Sequence, residues 1–208
     1  MQNVITYIDG FNLYFGLKDK GWKRYYWLNL VALAKCLLKP GQKLQKVKYF
    51  TSRISLPIDK AQRQNEFIEA LETLSELTIY CGKYQANDIT CTKCGHIMLK
   101  PNEKMTDVNI AVEMLADAFM DSFDVAILIS ADSDLTGPIK QIKKMFPQKQ
   151  VIIAFPPSRF SYELQKIADA TFPIGRKKFA ESVFPEYITK KDGYVLKCPK
   201  RWIQDAIS

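Results

Sequence analysis

The apolar segment at residues 125–130, VAILIS, constrains the fold of this chain more than any other feature. It is too short for a typical helix, and its apolar residues do not alternate with polar ones. Such runs are typical of strands buried on both faces of a parallel sheet. Similar runs occur at residues 4–8 and 151–155, and segments with helical apolar spacing separate them. We therefore predict an α/β fold with a mainly parallel central sheet covered by helices on both faces.

The other elements follow from apolar periodicity, capping residues and chain breakers. Asp59 and Thr106 are candidate helix N-caps, and Asp9-Gly10 is expected to form a turn after the first strand. Further strands are predicted at residues 47–51 and 77–80 and near residue 172. Helices are predicted at residues 28–38, 59–74, 107–120, within 135–145 and at 162–168.

Two segments depart from this strand-helix alternation. Residues 82–104 are polar and contain two cysteines, so we expect an irregular insertion there. The Asp192-Gly193 pair lies between two β-prone runs and predicts a small C-terminal hairpin. We expect one domain at residues 1–175, followed by a basic extension at residues 176–208.

The distribution of charge indicates an anionic partner. The 208 residues carry a formal net charge of +8. Residues 35–64 hold eight basic residues against one acid, and residues 176–201 hold eight against three, whereas residues 103–134 hold eight acids against one base. Basic segments on both sides of an acidic one fit a metal site with phosphate-binding surroundings, so nucleic acid is the leading partner. The alternative is that the lysine-rich faces are only solvated.

Membrane and secretory signals are not evident in the sequence. No apolar run reaches the roughly 20 residues that span a bilayer. The N-terminus MQNVITYIDG has neither a basic region nor a long apolar region of the signal-peptide kind. We expect a cytoplasmic protein without membrane contact, in which the five cysteines are thiols or metal ligands and not disulfides.

Four aspartates form a candidate metal site. Asp9, Asp132 and Asp134 follow apolar strands, and functional groups of parallel sheets gather beyond the carboxyl ends of the strands. Asp107 opens a predicted helix and extends its apolar stripe. Clustered carboxylates repel one another unless a cation neutralises them, and hard oxygen ligands favour Mg²⁺ or Mn²⁺. Taken singly, these aspartates have structural alternatives. Asp107 could complement the helix dipole, Asp134 could be a helix N-cap, and Asp9 could stabilise a turn.

The cysteines at residues 91 and 94 suggest a second metal. Cys91-Thr92-Lys93-Cys94-Gly95 has the form of a zinc knuckle, but a structural zinc site needs four ligands. The candidates to complete it, none with convincing spacing, are Cys81, His96 and Cys198. A structural zinc site and free thiols therefore remain equal alternatives.

Several motifs resemble the NYN domains, a branch of the PIN-like nucleases. The residues that carry the resemblance are YIDGFNLY at 7–14, EKMTDVN at 103–109 and SADSDL at 130–135. Residues 151–164 and the closing segment also resemble the LabA-like bacterial group. Ala131 departs from the glycine that such motifs often carry, which is a minor change.

The resemblance implies a PIN-like three-layer α/β/α fold and metal-dependent RNA cleavage. By matched position it implies that Asp9, Asp107, Asp132 and Asp134 are catalytic acids at a Mg or Mn site, with Asn12 as a polar helper. The expected substrate is single-stranded or structured RNA, and a homodimer is left open.

Three other readings compete with a nuclease. The serious one is a non-catalytic RNA-binding or regulatory module that keeps the acidic site. Asp132-x-Asp134-x-Thr136 also mimics a phosphatase nucleophile motif, but too little chain follows it. A Toprim-like site would carry Glu where this chain has Asp9.

Three consecutive aromatic residues could contact RNA: Tyr25, Tyr26 and Trp27. They could stack on bases, and packing in the core is an equal alternative.

Overall fold

A seven-stranded sheet forms the centre of the protein, seen in a computed structural model that describes residues 1–90, 94, 95 and 97–203 and, at 83–90 and 97–104, the backbone alone. The strand order is β4-β3-β2-β1-β5-β6-β7, in which β4 is antiparallel and all other neighbours are parallel. The strands are β1 Gln2–Asp9, β2 Gln42–Ser52, β3 Leu77–Thr90, β4 Ile97–Lys104, β5 Val125–Ile129, β6 Gln150–Phe155 and β7 Ala170–Pro173.

Helices cover both faces of the sheet, which confirms the predicted α/β fold. Apolar side chains of the first three helices and α7 pack on one face, and those of α4 to α6 pack on the other. The helices are α1 Gly10–Asp19, α2 Leu30–Leu37, α3 Ile58–Glu72, α4 Thr106–Phe119, α5 Thr136–Met145, α6 Tyr162–Ile167, α7 Arg176–Ala180 and α8 Lys200–Ile203. None of the helices in this described part of the chain has both the length and the apolar character that a membrane crossing requires.

The strand order reverses between β1 and β5. Going outward from β1, the chain first builds β2 and β3 on one side and then β5, β6 and β7 on the other. Helices that leave β1 and β5 therefore diverge to opposite faces, and a crevice opens between the carboxyl ends of these two strands. Polar residues at those two strand ends are brought together by this topology.

The segment predicted to be an irregular insertion is instead a β-ribbon. Strand β3 continues to Thr90, and β4 pairs with it antiparallel from Lys83 opposite Lys104 to Thr90 opposite Ile97. A two-stranded ladder pairs the backbone groups that face each other and leaves the others to water, so it needs no apolar alternation in the sequence. That is why the polarity of residues 82–104 gave the wrong prediction.

Three local predictions at helix starts were also wrong. Asp9-Gly10 forms no separate turn, because α1 begins at Gly10 directly after β1. Helix α4 begins at Thr106 behind Met105, whose left-handed backbone (φ 80°) makes the corner, so Thr106 is not the N-cap. Helix α3 begins one residue before Asp59, which lies in the first turn and complements the helix dipole there.

The predicted C-terminal hairpin is present as β8 Tyr187–Thr189 paired with β9 Val195–Lys197. It packs on the α1–α3 face, where Leu196 and Cys198 join the core. Tyr25 and Trp27 are buried in the same core, so for these two residues the core-packing alternative holds. Tyr26 is half-buried at its edge.

A buried ionic cluster lies beneath α4. The Lys48 ammonium is 2.6 Å from the Asp117 carboxylate and 2.7 Å from that of Glu113, and the Tyr7 hydroxyl donates to Asp117 at 2.6 Å. The side chains of Lys48 and Asp117 are only 7% and 5% exposed. A buried carboxylate without its cation is strongly unfavourable, so Lys48 is needed to keep α4 docked on β2.

Replacing Lys48 with methionine should therefore destabilise the protein by about 3–5 kcal/mol, because Asp117 keeps a buried charge without a cation. Urea unfolding followed by circular dichroism measures the change. The matched control is Lys43→Met, an exposed lysine of the same strand, which should change stability by less than about 0.5 kcal/mol. Equal stability of the two variants would contradict this role for Lys48.

Candidate metal centre

Asp9 ends β1 and at the same time caps α1. Its Oδ1 accepts a hydrogen bond from the Asn12 backbone N–H at 3.0 Å, which satisfies one of the free amides of the first helical turn. Gly10 makes this abrupt strand-to-helix junction possible. A Cβ there would lie 2.7 Å from both the Phe50 carbonyl oxygen and the Tyr49 hydroxyl oxygen. Asp9 is buried and cannot swing away from the crevice.

Ser130 joins Asp9 to the loop after β5. The buried Ser130 hydroxyl donates to Asp9 Oδ2 at 2.9 Å and accepts from the Asp132 backbone N–H at 3.0 Å. Asp132 in turn caps the 3-10 helix Ser133–Leu135, since its Oδ1 accepts from the Asp134 N–H at 3.0 Å. The serine thus fixes the position of one carboxylate and of the backbone that carries the other.

Asp107 completes the group from the opposite direction. It lies in the first turn of α4 and is half-buried. Carboxylate oxygens of Asp9, Asp107 and Asp132 all lie within 4.8 Å of one another. Three carboxylates therefore meet at the reversal point of the sheet, one from each of three separate segments.

This arrangement strongly disfavours three negative charges. Burial raises the pKa of Asp9, although hydrogen bonds from Asn12 and Ser130 oppose the rise. Burial, reinforced by the charges of Asp132, Asp9 and Asp134, raises the pKa of Asp107 to about 6. A divalent cation removes both penalties, and a set of carboxylate oxygens suits Mg²⁺ or Mn²⁺. The residues present therefore fit such a metal.

Asp134 and Asn12 lie beside this group. Asp134 is exposed and outside the cluster of three, although its charge acts on Asp107. The Asn12 side-chain oxygen accepts from the Ala131 N–H at 3.2 Å, so Asn12 ties α1 to the β5 loop. Sequence reasoning missed Ser130 as a site residue, although a serine two residues before Asp132 on a buried strand was a usable signal.

The zinc hypothesis stays a prediction. Cys91 and His96 lie outside the described residues. Cys94 is exposed, Cys81 is exposed, and Cys198 is buried in the core with its thiol near the Pro199 carbonyl oxygen.

Known proteins resemble the chain in sequence and in fold. A protein from Pseudomonas putida named 6-hydroxy-3-succinoylpyridine 3-monooxygenase HspA is 26% identical over 66% of this chain, which spans about half (54%) of that relative's length. A crystal structure of a protein of unknown function from Vibrio parahaemolyticus superposes with a TM-score of 0.56 at 16% identity, covering 88% of this chain and 96% of that one. This second likeness shows the fold alone.

The profile of the NYN domain family matches residues 3–175, which include all seven strands of the sheet and the three clustered aspartates. This match covers most of the 208 residues. The chain belongs to the NYN domain family, within the PIN-like nuclease superfamily.

Proposed function

We propose that this protein is a divalent-metal-dependent nuclease that hydrolyses phosphodiester bonds in RNA. The observation that carries the proposal is the meeting of Asp9, Asp107 and Asp132, with oxygens within 4.8 Å, in a domain of the NYN family. The burial and mutual repulsion of these carboxylates are costly unless a cation is bound. A set of carboxylates whose charges are costly until a cation neutralises them is better explained by metal binding than by three independent structural roles.

Each residue has a distinct role in this proposal. Asp9, Asp107 and Asp132 would hold Mg²⁺ or Mn²⁺, which when bound activates a water molecule and stabilises charge on the phosphodiester. Ser130 and Asn12 are positioning residues, because they touch Asp9 and the β5 loop. Asp134 is exposed at the rim, where its carboxylate can orient water next to the three ligands.

RNA is the proposed substrate on electrostatic grounds. The net charge of +8 favours an anionic polymer, while the acidic centre would repel phosphate without its cation. The basic extension contributes Arg176, Lys190 and Arg201, of which Lys190 pairs with Glu69 and Arg201 with Asp59. Together with the other basic side chains of the surface, these cations attract phosphates at low salt and guide them toward the crevice.

Two alternatives remain open to test. A non-catalytic RNA-binding module would keep the acids without cleaving. The name of the Pseudomonas relative concerns oxygenation of a pyridine, but at 26% identity and about half that protein's length no activity is carried over to this chain. Cleavage of RNA with added metal, and its loss with EDTA, separates the nuclease from both.

Asp132→Asn should lower Mn²⁺-dependent RNA cleavage at least about 100-fold, since even groups one step removed from a metal typically matter 10- to 100-fold. The substitution keeps shape and the contact to the Asp134 N–H but removes one ligand charge. The measurement is cleavage of one labelled single-stranded RNA with Mn²⁺, Mg²⁺ and EDTA.

The matched control for this variant is Asp192→Asn. Asp192 lies in the hairpin turn, where Asn can still accept from the Tyr194 N–H. Asp121 also lies away from the three clustered aspartates, but it is unsuitable as a control because it pairs with the buried Lys149 ammonium at 2.5 Å. If wild type and Asp132→Asn cleave equally fast, the cleavage comes from another site or a contaminant; if wild type cleaves nothing, the non-catalytic alternative takes the lead.

Asp107→Asn should stabilise the metal-free protein at pH 7.5 by about 1 kcal/mol, or roughly 2–4 °C in Tm, after allowing for solvent screening of this half-buried group. Its pKa is raised from 3.8 to about 6, so the folded chain holds the proton more tightly than the unfolded chain. The destabilisation of the folded state by the charged Asp107 carboxylate is therefore complete above about pH 6 and disappears below about pH 4. The stability gained by Asp107→Asn should disappear over the same pH range.

Thermal unfolding in EDTA and in millimolar Mg²⁺ or Mn²⁺ measures this directly. Metal should raise the Tm of wild type, because it binds the folded state and not the unfolded chain. It should raise the Tm of Asp107→Asn much less, because that variant lacks one of the three carboxylate ligands. This readout does not depend on cleavage. A Tm of wild type that is indifferent to both metals would contradict the assignment of these carboxylates as ligands.

A further inference from the structure

A cavity of about 530 Å³ lies on the α1–α3 face, beyond the carboxyl ends of β1 and β2. Its volume is within the usual range of about 300–1,000 Å³ for ligand-binding pockets. Nothing in the metal centre described above uses it. We name it the aromatic pocket, after the eight rings that line it: Phe11, Tyr14, Phe15, Tyr25, Tyr26, Tyr49, Phe67 and Trp202.

The rings of this pocket are not all used in core packing. Tyr14 and Phe15 remain 37% and 38% exposed, although both lie on the helix whose Leu13 and Leu17 pack in the core. Tyr14 lies 5.1 Å from Tyr26, and Tyr26 lies 5.7 Å from Trp202, measured between ring centroids. The pocket therefore presents a connected aromatic wall that extends from the interior to solvent.

Cations surround the mouth of the pocket. Its described lining residues include five cations and no carboxylate: Lys18, Lys23, Lys60, Arg63 and Arg201. The nearby Asp59 accepts from Arg63 at 3.0 Å and from Arg201 at 3.2 Å, so two guanidinium groups share one negative charge. A net positive rim around an aromatic interior suits a flat ring that is joined to an anion.

The pocket adjoins the metal centre through the backbone. Gly10 and Phe11 line it, and they directly follow Asp9. Adjacent Cα atoms are about 3.8 Å apart, so the pocket wall begins within one residue of a proposed metal ligand. The side chain of Asp9 points to the α4 face, as Ile5 and Tyr7 do on the same strand, whereas the pocket opens on the other face.

We propose that the aromatic pocket holds one unstacked nucleobase of the RNA strand, close to the scissile phosphate, and that Lys60 and Arg63 bind the adjoining phosphate. This inference rests on the proposed function, because it takes RNA as the substrate. Proteins that bind single-stranded nucleic acid combine aromatic faces for the bases with a cationic groove for the backbone. Since stacking on an aromatic ring is tolerant of base identity, the pocket selects unpaired RNA and not a sequence.

The test measures binding without cleavage. A labelled eight-nucleotide single-stranded RNA is titrated in EDTA by fluorescence anisotropy, with an abasic nucleotide moved through each position in turn. For wild type, one position should lower the affinity about 5- to 150-fold, the range expected for the loss of one stacked base. For Tyr14→Ala, overall affinity should be lower, and that abasic position should have little further effect.

Tyr162→Ala is the matched control. Like Tyr14, Tyr162 is an exposed tyrosine on a helix, but its helix packs on the opposite face of the sheet, away from the aromatic pocket. Its loss should leave the abasic profile unchanged. Lys60→Gln should reduce the slope of log affinity against log salt concentration by about one, because one phosphate contact is lost. The loss of affinity at the abasic position should stay the same, which separates phosphate binding from stacking. Circular dichroism melts establish that the variants are folded.

The remaining outcomes overturn the proposal. An abasic profile that is flat in wild type, or equal in wild type and Tyr14→Ala, shows that no base enters the pocket. Saturable binding of 3-pyridinecarboxylate, followed by tryptophan fluorescence, together with a flat abasic profile, assigns the pocket to a free aromatic acid. Because the binding assay contains EDTA, its result does not depend on cleavage. If binding depends on one base but the protein does not cleave RNA, the pocket proposal stands and the nuclease proposal is wrong.

Discussion

The mutual repulsion of three carboxylates is the constraint on which the site depends. Asp9, Asp107 and Asp132 are held with their oxygens within 4.8 Å, although burial raises the pKa of two of them. Hydrogen bonds fix two of these residues: Asn12 and Ser130 both contact Asp9, and Ser130 also accepts from the Asp132 N–H. The ligands are therefore in place before the cation binds. Binding of the cation then removes the repulsion between the carboxylates, which favours the bound state.

The topology of the sheet makes this crowding possible. Strands β1 and β5 are neighbours in the sheet although more than 100 residues separate them in sequence. Their helices leave toward opposite faces, so no helix covers the ends of both strands. The rigid strand β5, buried along its whole length, fixes the backbone that leads to Ser130 and Asp132. The buried Lys48–Asp117 pair holds the far end of α4, whose first turn carries Asp107.

Sequence reasoning found the acids because their positions follow from strand ends and helix periodicity, which are local properties. Asp9 and Asp132 end or follow apolar runs, and Asp107 extends an apolar stripe. Ser130 was missed because its position two residues before Asp132 is only a local signal, whereas its contact to Asp9 depends on the long-range pairing of β1 with β5. The same holds for the buried Asp117, because its partners Lys48 and Tyr7 lie on strands that are distant in sequence. The β3–β4 ribbon was missed because its stability comes from backbone pairing and not from an apolar pattern.

Gly10 links the two halves of the proposed active centre. Helix α1 starts so close to β2 that a Cβ at this residue would overlap the Phe50 carbonyl and the Tyr49 hydroxyl. This closeness lets Asp9 point to the α4 face while the next residues turn to line the aromatic pocket on the other face. In the proposed complex, a strand of RNA that reaches the carboxylates would cross the end of β1, and the base beside the phosphate would meet the pocket. In a duplex that base remains paired and stacked, so the proposed arrangement around Gly10 would favour single-stranded RNA.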